Sequence, residues 1–416
     1  MTETVLLGLV IIAGAYMAWN IGANDVANAM GTSVGSGALT LRQAVIIAAV
    51  LEFCGAFFFG SHVSETIQKE IVDPSIFQSP ILIVYGMLAA LLSAGVWLQI
   101  ASYYGWPVST THSIVGAVVG FGLTIGGLEA IYWEKVSFIA MSWIVSPLLG
   151  GIFSFTLFNL LRRHIFYTEN PVLSAKRITP FFVFGILFIL SLILLYKGLN
   201  SVHFEFDFLE SMGISILCGS TGFLISYLIL KRMITPKAPF DSNLEYSLVE
   251  KIFGYLQVMS ACLMAFAHGA NDVANAIGPM AASVDILLTG SLSESAIIPT
   301  WVLALGGGGI VLGLATWGWR VIETIGRKIT ELTPTRGFSA EFGAAATILL
   351  ASRLGLPIST THTLVGSVIG VGLARGIEAL DLRTMRHIFI SWLFTVPAGA
   401  VLTIVLFYII NAVFSV

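Results

Sequence analysis

Apolar runs separated by short polar breaks dominate the chain. They cover residues 4–23, 42–61, 80–103, 107–126, 137–160, 181–199, 211–230, 251–277, 300–319, 339–353, 357–376 and 387–413. A helix needs about 20 apolar residues to cross the hydrocarbon core, and in lipid only helices and closed barrels satisfy their own backbone groups. The pattern predicts an all-α integral membrane protein with about twelve spans, the short and interrupted ones forming discontinuous or re-entrant helices.

Composition sharpens this. Of 416 residues, 56% are hydrophobic and 10% charged, whereas soluble domains carry about 25% charged residues. The net charge is -3, without a basic tail or patch, so no nucleic-acid partner is expected. The expected partners are membrane lipid, a second copy of the chain and a small solute. Cys54, Cys218 and Cys262 sit in apolar segments without metal or disulfide spacing and read as small buried hydrophobes. The start MTETVLLGLV lacks a basic region and reads as a mature helix, not a cleaved signal.

Lys and Arg mark the cytoplasmic side of short loops. Arg162, Arg163, Lys176 and Arg177 precede the sixth run, Lys231, Arg232 and Lys237 follow the seventh, and HFEFDFLE between the two runs has no basic residue. The linker at 231–250, with Pro236 and Pro239, is therefore expected on the cytoplasmic side. Counting outward puts Arg320, Arg327, Lys328, Arg336, Arg375, Arg383 and Arg386 inside, and 278–299, with Asp285 and Glu294, outside. Both termini come out external.

Two motifs occur twice. GANDVANA runs from Gly22 to Ala29 and again from Gly269 to Ala276; PVSTTHSIVGAVVGFGL at Pro107 to Leu123 matches PISTTHTLVGSVIGVGL at Pro357 to Leu373. Val63 to Pro74 resembles Val321 to Pro334, and Ser142–Trp143 with Pro147 matches Ser391–Trp392 with Pro397. The loop after the second run is acidic in the first half (Glu65, Glu70, Asp73) and basic in the second, so the halves are expected to be inverted. The division is a first repeat at 1–165, connecting helices and linker at 166–250, and an inverted repeat at 251–416.

An intramembrane carboxylate is costly unless a cation or a water-filled cavity compensates it, and so marks a functional site. Asn24, Asp25 and Asn28, with Asn271, Asp272 and Asn275, form hard-oxygen sets suited to a hard cation. Pro107 and Pro357 favour helix starts just after them, placing Ser109, Thr110, Thr111 and Ser359, Thr360, Thr361 at helix N-termini. Two such ends with three hydroxyls each would hold a tetrahedral oxyanion without Arg or Lys. The competing reading is that the hydroxyls only cap helices and that His112 and His362 satisfy a neighbouring carbonyl.

Glu52, Glu341 and His268 break the repeat; they align near Leu305, Leu91 and Ile21. They are candidates for an additional ion or coupling proton, or for simple pairing inside the bundle. Gly116, Gly120, Gly366 and Gly370 have the spacing of close helix packing, and Gly306 to Gly309 reads the same way. An intramembrane hydrolase using the two Asp, or Ser109 with His112, is disfavoured because the same residues recur in both halves; an anion channel would need no cation site.

Duplicated GANDVANA and P(V/I)STTH in inverted halves resemble the inorganic phosphate transporter (PiT) family, and the match runs over essentially the full chain. The resemblance implies a symporter, not an enzyme, that imports inorganic phosphate across the cell membrane with sodium ions as its coupling ions and no further cofactor, in twelve spans with re-entrant hairpins and as a homodimer. It also implies sodium sites at the Asp motifs, a phosphate cradle at the two STT triplets, and sensitivity at Glu52, Glu341 and His268. Coupling to protons, or carriage of sulfate, is the alternative. A protonated phosphate can donate a hydrogen bond to a carboxylate and sulfate at neutral pH cannot. The short central loop leaves no room for regulation hosted there.

Overall fold

The computed structural model describes residues 2–69, 71–73, 76, 79–196, 206–233, 242–291, 298–327 and 329–414. Glu70, Pro74, Glu294, Lys328, the start of HFEFDFLE, and residues 234–241 of the linker with Pro236, Lys237 and Pro239 lie outside the described residues. The chain forms α1 (Thr2–Gly35), α2 (Leu41–Lys69), α3 (Pro80–Tyr103), α4 (Thr110–Gly126), α5 (Trp133–Leu161), α6 (Pro171–Tyr196) and α7 (Phe208–Arg232). It continues with α8 (Ser242–Asp272), α9 (Ala274–Thr289), α10 (Thr300–Thr316), α11 (Trp319–Arg327), α12 (Pro334–Arg353), α13 (Thr360–Arg375) and α14 (Leu382–Phe414).

Each of the twelve apolar runs contributes helix among the described residues. Among the described residues nine helical stretches are long and apolar enough to cross a membrane, or ten if α10 and α11, bent by 62°, count as one. The helix does not stop where the first apolar run ends at residue 23: α1 continues through GANDVANA, unbroken for 34 residues. Its Asn24 and Asn28 side chains bond to neighbouring segments instead of competing for the helix's own backbone. The second copy is interrupted at Val273, between α8 and α9. Residues 278–289, expected in an external loop, belong to α9 and are mostly buried against α1, α2 and α3. The cysteines are free, and they are less buried than expected, Cys218 being exposed and the other two half-buried.

Packing repeats in exchanged pairs. α1 lies on α10 and α3, as α8 lies on α2 and α12; α4 lies on α14, as α13 lies on α5; α3 lies on α14, as α12 lies on α5. Swapping α1, α2, α3, α4 and α5 for α8, α10, α12, α13 and α14 maps each contact onto another. α6 and α7 form a pair docked through α6 onto α8.

α3–α4 and α12–α13 are helical hairpins with matching tips. α3 ends with Gly105 at φ 68° and α12 with Gly355 at φ 69°, a left-handed conformation that glycine adopts at little cost. In each, two main-chain bonds close the helix end: Trp106 N–H to Ala101 O at 2.8 Å and Gly105 N–H to Ser102 O at 3.1 Å, then Leu356 N–H to Ala351 O at 3.0 Å and Gly355 N–H to Ser352 O at 3.1 Å. This is the Schellman arrangement. The following proline keeps the chain extended until Ser109 or Ser359 starts the next helix.

The hairpin bases lie at opposite ends of the bundle. Asp73 N–H bonds Ala130 O at 2.9 Å at the first base, and Asp381 N–H bonds Ile329 O at 3.0 Å at the second. α5 starts beside the first base and, 29 residues later, its following Arg162 donates from Nη1 to Ala374 O at the second base. At about 1.5 Å per residue the helix covers roughly 43 Å. α14 runs the other way, from the second base to where Tyr85 donates to Phe414 O at 3.4 Å.

Small residues permit these approaches. A Cβ at Gly22 would lie 1.9 Å from Ile310 O, and one at Gly269 would lie 2.2 Å from Glu52 O. The matched contacts pair Glu52 with Ile310, not with the neighbourhood of Leu305. Gly116 and Gly120 meet Val396 and Ala400, and Gly366 and Gly370 meet Pro147 and Gly151, as their spacing predicts. Gly22→Val should therefore cost more than the roughly 1–3 kcal/mol of ordinary overpacking, because the obstacle is backbone. Gly8→Val, with open space around it, should melt like the native protein in detergent; equal melting of the two variants would contradict this packing.

Candidate functional site

The two hairpin tips meet, and both Asp motifs lie against them. Ser109 Oγ accepts the His112 main-chain N–H at 3.2 Å and Ser359 Oγ accepts that of His362 at 3.1 Å, so both serines cap their helices. The capping reading is thus correct for the serines. It is incomplete for the threonines, which reach across: Thr111 Oγ1 donates to Ile358 O at 3.0 Å and Thr361 Oγ1 to Val108 O at 3.2 Å.

Each Asp motif uses its first Asn on the tip of its own half. Asn24 Nδ2 donates to Ser102 Oγ at 3.0 Å and Trp106 O at 3.1 Å, while its Oδ1 accepts Val108 N–H at 3.3 Å. Asn271 lies 3.1 Å from Ser352 Oγ; in the amide orientation that satisfies both of its ends, its nitrogen donates to Ile358 O at 3.3 Å and Asp272 Oδ1 at 3.1 Å. The second Asn goes to the other half. Asn28 Nδ2 donates to Thr361 Oγ1 at 2.8 Å and Asp25 Oδ1 at 2.9 Å, and Asn275 Nδ2 to Thr110 Oγ1 at 3.1 Å and Thr111 Oγ1 at 3.3 Å. Thr361 Oγ1 also lies 3.1 Å from Asp25 Oδ1, and Thr360 Oγ1 donates to Asp272 Oδ2. All twelve residues named from the two motifs meet here, and none is more than 2% exposed.

The unmatched residues divide. His268 joins the cluster, with Nε2 3.0 Å from Asp272 Oδ2 and 4.0 Å from Asp25 Oδ2, and Nδ1 3.2 Å from Glu52 Oε1. A neutral imidazole has one N–H and can serve only one of these carboxylates as donor. Asp25, His268 and Asp272 each place a ligand atom within 4.8 Å of the others. Glu341 stands apart in a nest of donors: Thr32, Ser33 at 2.5 Å, Ser260 at 2.6 Å and Gln257 at 3.5 Å. Both are fully buried, yet Glu341 is saturated while Glu52 is not.

Among the described residues Asp25 Oδ2, Asn28 Oδ1 and Glu52 Oε2 lack hydrogen-bond partners, and Glu52 Oε1 has the ion-pair contact with His268 Nδ1 but no well-aligned hydrogen bond. Buried polar atoms rarely stay unpaired, and carboxylate and amide oxygens left over beside an acidic cluster are what a hard cation requires. The helix ends of α4 and α13 add free N–H groups next to the same place. Behind the threonines, the rings of Trp143, His112, His362 and Trp392 form a column with centroid separations of 3.8, 4.2 and 3.5 Å. His362 Nδ1 is 3.4 Å from Trp143 O, the kind of carbonyl contact that the competing reading supposed. The column lines a largely apolar cavity of about 1050 Å³ between α5, α13 and α14.

Several members of the site were not singled out from sequence. Ser102 and Ser352 had a signal, since the repeat reads ASxxGxPxSTTH in both halves. Thr32, Ser33, Gln257 and Ser260 had none; ordinary polar residues around Glu341 become a nest only through packing.

Residues 21–403 match the phosphate transporter family. The chain is 48% identical to the chloroplastic inorganic phosphate transporter 2-1 of Arabidopsis thaliana over 97% of this chain and 72% of that protein. It also superimposes on a solved structure, "The sodium-dependent phosphate transporter", with TM-score 0.91 and 43% identity, covering 98% of this chain and 99% of that one.

Thr361→Val would remove one bond from the Asn28 amide and one from Asp25 Oδ1, which would still bond each other, a loss of about 1–3 kcal/mol for contacts to a charged group. Thr361→Ser keeps the hydroxyl. We expect a lowered melting temperature in detergent for the valine variant only; equal melting would show that this network adds no stability.

Proposed function

The chain belongs to the phosphate transporter family, and we propose that it imports inorganic phosphate by symport with sodium ions. The observation that carries this reading is the double cross-tie of Asn28 to Thr361 and Asn275 to Thr110, which sets each acidic motif against the helix end of the opposite half. The anion sits between the N-termini of α4 and α13, held by Ser109, Thr110, Thr111, Ser359, Thr360 and Thr361. Sodium ions sit at Asn24, Asp25 and Asn28 and at Asn271, Asp272 and Asn275. Thr111 and Thr361 turn from the tip carbonyls to the anion as it enters. Without cations, the carboxylates of Asp25 and Asp272 would repel the anion; with them, the carboxylate charge is offset and the repulsion is removed, and this is the physical basis of coupling.

The halves 1–165 and 251–416 act as inverted repeats joined by 166–250. Support comes from the exchanged helix contacts and from hairpins whose bases lie at opposite ends of α5. Both termini face outward, the central linker faces the cytoplasm, and two copies form the working unit in the cell membrane. Phosphate is preferred to sulfate because the Asp carboxylates beside the threonines can accept a hydrogen bond from a protonated oxyanion. No enzymatic step is proposed: Ser109 accepts a main-chain N–H while the ring of His112 packs on Trp143, an arrangement suited to structure and not to nucleophile activation.

Proton coupling has one observation in its favour, the position of His268 between Asp272 and Glu52. Labelled phosphate uptake into liposomes, with sodium and proton gradients imposed separately and sulfate as competitor, decides between the two ions. Uptake driven by sodium alone and indifferent to sulfate is expected; uptake driven by protons alone would move coupling to His268, Glu52 and Glu341.

Asp25→Asn should abolish sodium-driven uptake while membrane insertion stays normal, and retained sodium dependence would refute the cation assignment. Thr110→Val with Thr360→Val should raise the phosphate KM by about 10- to 100-fold, the loss of one or two bonds to a charged ligand, with a smaller effect on sodium half-saturation. An unchanged KM would remove the cradle.

A further inference from the structure

We propose a second phosphate-group site, separate from the one at the hairpin tips, at the base of the α12–α13 hairpin. Arg162, after the end of α5, Arg336, in the first turn of α12, and Arg375, at the end of α13, line one polar cavity of about 350 Å³. Three guanidiniums from three elements converge where the motifs place no function.

The charges there do not cancel. Glu250 lines the same cavity and offsets one of the three guanidiniums, but its oxygens are held at the start of α12 by Thr335 N–H at 2.8 Å, Thr335 Oγ1 at 3.0 Å and Thr333 Oγ1 at 2.9 Å. Glu331 is the anion shared by two of the arginines, with Oε2 3.4 Å from Arg336 Nη1 and 3.5 Å from Arg375 Nη2. These are long contacts, and the Glu331 side chain is 78% exposed. Such a surface pair is worth little in water. Arg162 spends one bond on Ala374 O and another on the Tyr167 hydroxyl, and its guanidinium lies 5.9 Å from the Phe158 ring centre. Arg336 Nη1 also donates to Glu331 O at 3.1 Å, and Arg375 Nη1 to Glu331 O at 3.2 Å and Thr330 Oγ1 at 3.4 Å; with five N–H donors in a guanidinium, each arginine still keeps some for a ligand.

Glu331, loosely held and largely exposed, is thus the carboxylate that an incoming anion would compete with for Arg336 and Arg375. The fitting chemistry is a phosphate group, which arginine forks bind in bidentate fashion. The cavity lies at the end of spanning helix α5, beside exposed Tyr167, at the level where lipid headgroups lie. Two sources offer that chemistry: the phosphodiester of an anionic lipid, or free inorganic phosphate. Either would tie the end of α5 to both legs of the hairpin that carries Ser359, Thr360 and Thr361, and would damp movement of that hairpin.

The test is melting of the full-length protein in neutral detergent, titrated separately with a short-chain phosphatidylglycerol and with inorganic phosphate. The comparison is among native protein, Arg375→Gln, Arg163→Gln and Glu331→Gln. Arg163 is exposed beside the cavity but outside it, so its variant controls for net charge. Arg375→Gln should weaken the apparent affinity for the effective ligand about tenfold, as loss of a charge-assisted contact does. Arg163→Gln should not, and Glu331→Gln should strengthen binding by removing the competing carboxylate. A response to the lipid alone identifies a headgroup site, and a response to inorganic phosphate that depends on Arg375 identifies a free-phosphate site. Equal effects of Arg375→Gln and Arg163→Gln, or no gain in Glu331→Gln, would overturn the proposal. Since binding is read without transport, failure here leaves the symport reading untouched, and failure of symport leaves this site standing.

Discussion

Four carboxylates, Asp25, Glu52, Asp272 and Glu341, are fully buried inside a bundle built for lipid, and their compensation is the condition that the rest of the structure has to meet. Desolvating each costs several kcal/mol unless partners restore what water supplied. The protein meets that condition in two ways. Glu341 is surrounded by hydroxyl and amide donors from α1 and α8, and both of its oxygens are served. Asp25, Asp272 and Glu52 share His268 and a few polar neighbours, and oxygens are left over. The first arrangement is complete in itself. The second leaves oxygens without donors, which makes it, and not the Glu341 nest, the candidate for a ligand.

The reciprocal use of asparagine gives the cluster its mechanical meaning. Asn24 and Asn271 hold the tips of their own hairpins, while Asn28 and Asn275 hold hydroxyls of the opposite ones. Displacing either tip therefore disturbs bonds at both acidic motifs. The glycine contacts of α1 with α10 and of α8 with α2 leave little slack for the helices to absorb the change. A ligand that alters the bonding of one threonine is thus felt at the carboxylate across the interface, and a cation at that carboxylate is felt by the hydroxyls.

Legibility followed locality. The tips were readable because every element acts within a few residues: Gly105 or Gly355 to close a helix, proline to hold the chain extended, serine to start the next helix. The Asp motifs were readable because polar residues in an apolar run are expensive and these are duplicated. The continuity of α1 was not readable, because Asn and Asp inside an apolar run signal a break when only the local chain is considered; their partners Ser102 and Thr361 are far away in sequence. α9 was missed for a similar reason. Its Pro279, Ser283 and Asp285 look like loop residues, yet burial against α1, α2 and α3 overrides that local signal. The arginine cavity was legible only as loop charge: Arg162, Arg336 and Arg375 are scattered in sequence and come together because α5 ends at the base of the second hairpin.

Duplicated sequence does not give identical contacts. Trp392 Nε1 lies 3.3 Å from Pro107 O, whereas Trp143 Nε1, its counterpart, has no hydrogen-bond partner among the described residues. Thr361 reaches Asp25 through Oδ1 and Thr360 reaches Asp272 through Oδ2. Because the residue types match, the mirrored set of contacts can be made from the same chemistry and differs little in intrinsic energy. The preference for one set must then come from residues that lack a mate. Those are His268, Glu52 and Glu341, opposite Ile21, Ile310 and Leu91, and two of the three lie in the acidic cluster itself. The groups that break the symmetry of the sequence thus stand among the carboxylates of the acidic motifs, so the charge of that cluster and the choice between the two sets of contacts depend on the same residues.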